Sequence, residues 1–157
     1  MIYTKKHSKN GNLYGAVLIQ ETDLLSFVEF LSKHFNEINI NGKTIDGTNI
    51  NFSNLEEFTS YSNFEKRKIV EFELSCSNEE QSIDIKFQND RYLIKPETIS
   101  YYLRYNNHVW GFKFEDDLRQ ELKEFRPYYN FLSYINLKLG VPAIFLVLSS
   151  LLFSIDY

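Results

Sequence analysis

Cysteine is nearly absent from this chain. Cys76 is the only one, so no intramolecular disulfide can form and a reducing compartment is the expected setting. The six glycines, Gly11, Gly15, Gly42, Gly47, Gly111 and Gly140, fall in no phosphate-loop or dinucleotide pattern. The three histidines, His7, His34 and His108, are scattered, with no cysteine or carboxylate at ligand spacing, so neither a metal site nor a cofactor is expected. Basic runs are short, at Lys5-Lys6 and Lys66-Arg67-Lys68, and the net charge is −4. Nucleic acid is therefore not expected as a partner, because its recognition rests on clustered cations that neutralise phosphates. The N-terminal stretch lacks the charged, apolar and small-residue regions of a signal peptide, which adds to the expectation of a cytosolic domain.

What the chain has in quantity is aromatic residues, 14 Phe and 11 Tyr among 157 residues. With 43% hydrophobic and 24% charged residues, the composition is that of a folded chain rather than a disordered one. The length suits one domain and a tail segment.

The apolar run Leu13–Ile19 predicts a strand buried on both faces, preceded by a polar arm over 5–12. Leu24, Phe27, Val28, Leu31 and Phe35 recur at helical spacing, with Leu25 and Phe30 widening the stripe and Thr22 or Asp23 as the cap. Asn41-Gly42 and Asp46-Gly47 read as two tight turns of a small meander. Ser53 and Glu56 stand at capping-box spacing before a short helix to about Ser60. Val70, Phe72, Leu74 and Cys76, then Ile83, Ile85 and Phe87, alternate with polar residues and predict two half-buried antiparallel strands. Asn89-Asp90 reads as the next turn, Arg91–Lys95 as a further strand ended by Pro96. Thr98–Tyr105 reads as a strand because it is rich in tyrosine. His108, Trp110, Phe112 and Phe114 then look like one face of another strand. Phe114, Leu118, Leu122 and Phe125 predict a helix over 115–125, whose start would hold the acids Glu115, Asp116 and Asp117.

The expected fold class is thus α+β: an antiparallel sheet of about five to seven strands, with two or three helices packed on one face, followed by a C-terminal transmembrane helix. The run Leu139–Ile155 carries no charge and is close to the shortest helix that spans a bilayer, about 17 residues. Tyr128, Tyr129, Tyr134 and Tyr157 suit the two interfaces, and Lys138 can snorkel to headgroups. Lys138, Leu139, Phe145, Leu148, Leu152 and Phe153 are the candidate anchor residues. Lys123, Arg126 and Lys138 precede the run and only Asp156 follows it, which orients the N-terminal side to the cytoplasm. Residues 1–126 are read as the soluble domain, 127–138 as a juxtamembrane connector and 139–155 as a single-pass anchor. The competing reading is a buried core helix, for which a domain of this size offers little wrapping.

No residue set signals catalysis. Cys76 lies on the apolar face of its strand, where an inert thiol is expected. The acid pairs Glu56-Glu57, Glu79-Glu80 and Asp116-Asp117 sit in a helix start, a turn and a helix start. Glu71, Glu73, Asp84, Lys86, Arg91 and Lys95 read as a wet, charge-paired sheet face. The richest aromatic cluster, Tyr101, Tyr102, Tyr105 and Trp110, together with Arg104, is the candidate surface for a ligand or partner, against the alternative that it is the edge of the core. The sequence thus predicts a membrane-anchored, non-catalytic binding or sensing domain with the lipid bilayer and a protein, or a second copy of itself, as partners. The alternative is a membrane-perturbing effector of a bacterial conflict or antiviral system, with the soluble domain as trigger sensor. An enzyme with an unpatterned site is the third reading.

Overall fold

The structure, a computed structural model, describes residues 6–14, 17, 19–62, 67–88 and 97–126. All of them belong to one compact unit, Met1–Pro127. The elements are β1 (His7–Tyr14), α1 (Glu21–Ser32), β2 (Glu37–Thr44), β3 (Asn49–Phe52), α2 (Leu55–Ser60), β4 (Ile69–Ser77), β5 (Ser82–Gln88), β6 (Glu97–Tyr105) and α3 (His108–Glu124). The fold is α+β. Six strands form a single sheet in the order β1-β6-β5-β4-β2-β3, every neighbouring pair antiparallel.

Alternation builds the sheet. Leu74 faces Ile85, which faces Tyr101, and Cys76, Ile83 and Leu103 form the next row on the same face. These side chains are buried with Leu24, Phe27 and Leu31 of α1 and Phe114, Leu118 and Leu122 of α3. Phe58 of α2 packs edge-on at 5.1 Å against Phe52 and tilted at 5.1 Å against Phe72. All three described helices therefore lie on one side of the sheet. Aromatic contacts run on from there: Phe72 stacks on Phe87 at 4.4 Å, Phe87 meets Phe125 at 5.6 Å, and Phe125 meets Phe27 at 5.3 Å. Pairs of this kind contribute about 0.5–1.5 kcal/mol each beyond their burial, so the abundant phenylalanine holds the helices to the sheet.

Several predicted elements are corrected. The first strand is His7–Tyr14, which takes in residues 7–12 of the predicted polar arm; of the predicted strand Leu13–Ile19, Val17 and Ile19 are not strand and Gly15, Ala16 and Leu18 lie outside the described residues. β1 is an edge strand, covered on one face only. Its inward residues are His7, Lys9, Gly11 and Leu13, so it shows no hydrophobic pattern. The Asn41-Gly42 turn does not form. Both residues lie inside β2, where a Cβ on Gly42 would stand 3.0 Å from the Phe52 ring. This glycine makes room in the core rather than turning the chain, and the predicted meander is one hairpin. Asp46-Gly47 does turn it, with Gly47 at φ 85°. Hydrogen bonds from the Thr44 hydroxyl and the Thr48 backbone N–H hold the Asp46 carboxyl below its ordinary value.

α1 is capped at Gln20, with no side-chain hydrogen bond, not at Thr22 or Asp23, and Leu25 is exposed rather than part of the apolar stripe. The α2 cap is one residue later than predicted. Asn54 accepts from the Glu57 N–H at 2.8 Å, while the Glu57 carboxylate accepts from the Ser53 N–H at 2.7 Å.

The largest correction concerns 108–114, which is helix and not strand. Asn107 accepts hydrogen bonds from the N–H groups of Val109 (2.9 Å) and Trp110 (3.2 Å) and so starts α3 there. Trp110, Phe114, Leu118, Leu122 and Phe125 then continue one helical face. The acids Glu115, Asp116 and Asp117 lie mid-helix, not at its start. The predicted strand Arg91–Lys95 with its turn and Pro96, and the segments 127–138 and 139–155, lie outside the described residues. Among the described residues no helix is long and apolar enough to cross a membrane.

Candidate functional site

The open face of the sheet, the one that no described helix covers, is a lattice of polar side chains fixed by strand register. One row across the strands is Asn51, Asn41, Glu73, Lys86, Ser100 and Asn12; the next is Asn39, Ser75, Asp84, Tyr102 and Asn10. Neither row holds an aliphatic side chain. Within the lattice Lys86 pairs with Glu71 at 2.9 Å and Arg104 with Asp84 at 3.4 Å. These pairs are part-exposed and contribute little to stability. A shallow depression opens at the β3 end, between Asn41, Lys43, Asn49, Asn51, Glu71 and Glu73.

The predicted aromatic cluster is divided by the sheet. Tyr102 and Arg104 point to the open face, the guanidinium 5.3 Å from the phenol ring. Tyr101 and Tyr105 are buried on the core face. Trp110 is partly buried on α3, stacked on Phe114 at 4.8 Å. Alternation along β6 separates 101 and 105 from 102 and 104, so the five residues do not share one surface. The anchor candidates Lys138, Leu139, Phe145, Leu148, Leu152 and Phe153 lie outside the described residues.

The sequence reading missed a charged cluster on the core side. Glu115 is only 6% exposed. Its carboxylate accepts from the Tyr101 hydroxyl at 2.8 Å, from Arg119 at 3.0 and 3.2 Å, and from the Lys9 ammonium. Burial works to raise the carboxyl; the bonds from Lys9, Tyr101 and Arg119 outweigh it and hold the carboxyl below its ordinary value. Burial and the bond to Glu115 push the Tyr101 phenol up to about 12. The only local signal of this cluster is the Glu115–Arg119 spacing of one helical turn. Lys9 arrives from 106 residues away, which no local pattern reveals.

Two of the histidines do meet: the rings of His7 and His108 lie 3.6 Å apart and tilted by 41°, beside Tyr105. His34 stands apart, edge-on to Phe114 at 5.0 Å, and burial lowers its pKa. Among the described residues no group of three or more His, Cys, Asp or Glu converges to hold a metal ion. Cys76 is buried, and burial pushes its thiol up to about 12.

Against this geometry, no protein-family model, no curated protein and no solved structure matches the chain.

Proposed function

We propose that this chain is a membrane-tethered, non-catalytic binding or sensing module. The domain works on the cytoplasmic side, the uncharged run 139–155 is its single-pass anchor, and the open sheet face is its recognition surface. The observation that carries the binding reading is the division of polar groups between the two faces. The buried carboxylate, Glu115, is committed to Lys9, Tyr101 and Arg119. The solvent-facing amides and charges form an ordered array with Tyr102 and Arg104 within it. An array of hydrogen-bonding groups on rigid strands suits recognition of a polar surface or ligand. The anchor reading is supported by the sequence of 139–155 and its flanks.

Two experiments test the two halves separately. The full chain is expressed in bacteria and its membranes washed with high salt and then carbonate. Extraction only by detergent supports the anchor, and release by carbonate overturns it. For the recognition surface, the full chain and a Glu73→Lys, Lys86→Glu variant are cross-linked in cells and their captured partners compared by mass spectrometry. Loss of a reproducible partner from the variant, with its circular dichroism unchanged, supports the open face. An identical set of partners sinks it.

A further inference from the structure

We infer that the solvent stripe of α3 beside β1 is a second contact with lipid, in which Val109 and Phe112 form a small apolar wedge and neighbouring cations take anionic headgroups. The inference rests on the tethered reading above and names the face of the domain that meets the bilayer.

Val109 is 80% exposed and Phe112 is 53% exposed, and three residues apart on a helix they are neighbours. Single exposed apolar side chains are common and mean little. The charges around this pair give it a direction. Helical spacing puts Arg119, Lys123 and Asp116 on the same side of the exposed stripe as Phe112, where Lys9 of β1 reaches the Phe112 ring. By the same spacing Lys113, Asp117 and Glu124, all exposed, fall on the other side. In a chain of net charge −4, the Phe112 side of α3 thus carries three cations against two acids, the buried Glu115 and Asp116.

The cluster at Glu115 is the source of the surplus. One buried carboxylate takes two cations, Lys9 and Arg119, so the group as a whole is positive. The Arg119 side chain remains 50% exposed and keeps donors for another anion. The Lys9 ammonium lies 3.9 Å from the centre of the Phe112 ring, so charge and apolar surface are presented together. Phenylalanine beside lysine and arginine is the composition of a helix face that rests in the headgroup region of an anionic membrane. Two apolar side chains are too small a patch for a stable protein interface. They are also too weak to recruit a free domain to lipid, but a tether raises the local concentration enough for a weak contact to form.

The test uses the full chain reconstituted into vesicles of phosphatidylcholine alone or mixed with phosphatidylglycerol. Val109→Cys carries an environment-sensitive fluorophore; Cys76 is buried and does not compete for the label. Glu124→Cys, labelled in the same way, is the control outside the wedge. The expected result is a blue shift at position 109 and quenching by spin-labelled lipids in the anionic vesicles alone. The control stays in water, and adding Phe112→Asp abolishes the shift. A label at 109 that stays in water, while the chain resists carbonate, overturns the contact and leaves the anchor standing. A shift that is the same in phosphatidylcholine alone overturns the role of the cations. Cross-linking between copies through position 109 overturns lipid as the occupant. Release by carbonate removes the anchor and, with it, the tether on which this contact depends.

Discussion

Gly11 lies directly under the ring of Tyr101. A Cβ built at Gly11 would stand 2.2 Å from both Cζ and the hydroxyl oxygen of that tyrosine. The two residues face each other across β1 and β6. The missing side chain lets the phenol lie over the edge strand and reach Glu115 at 2.8 Å. One glycine on an edge strand thereby admits one of the three residues that donate to a buried carboxylate on α3.

Gly11→Ala is expected to destabilise the domain by about 1–3 kcal/mol, the usual cost of overpacking. Tyr101→Phe should not relieve it, because Cζ is itself in the way, whereas Tyr101→Ala should. Urea unfolding of the single and double variants checks this; a Gly11→Ala protein as stable as the parent refutes the close approach.

Glu115→Gln keeps the shape and removes the charge. With Arg119 half-exposed its ion pair is discounted, and the expected loss at neutral pH is about 1–3 kcal/mol. The Glu115 carboxyl is held below its ordinary 4.5 in the folded state. Its contribution is therefore present above that value and disappears as pH falls through the folded value. Unfolding measured from neutral pH to pH 3 should show parent and variant converging on the acid side. A gap that stays constant across the range would contradict the charge-based account.

Asn107→Ala removes the side-chain acceptor of the first α3 N–H groups. A loss of about 1 kcal/mol is expected, with hydrogen exchange accelerated first at Val109 and Trp110. Unchanged protection at those two amides would show that the cap is dispensable.

Cys76 should not react with a thiol reagent while the domain is folded, since its thiol is pushed up to about 12 and its side chain is buried. Modification should follow the unfolding rate and speed up in urea in step with the loss of structure. Rapid labelling of the folded chain would place Cys76 elsewhere.

Some elements were legible from local pattern. The strands β4 and β5 and the helix α1 follow from period 2 and period 3.6, because each buries one continuous face. The 108–114 segment misled because His108, Trp110, Phe112 and Phe114 also alternate, while the deciding residue, Asn107, carries no periodic signal. Asn41-Gly42 misled because glycine serves two ends, a positive φ or a missing Cβ, and sequence does not tell them apart. The aromatic site of Tyr101, Tyr102, Arg104, Tyr105 and Trp110 was legible as a cluster in sequence. Its division between two faces depends on the strand being paired on both sides.

The sequence by itself determined the α+β class, the central half-buried strands, the buried cysteine and the uncharged run at 139–155, since composition and period act over a few residues. Tertiary structure alone decided that His7–Tyr14 is an edge strand. It also decided that Gly11 admits Tyr101, and that Lys9 and Arg119 share Glu115. The reason is physical: burying a carboxylate requires donors from every side, and one of those donors, Lys9, comes from a strand 106 residues away in the chain.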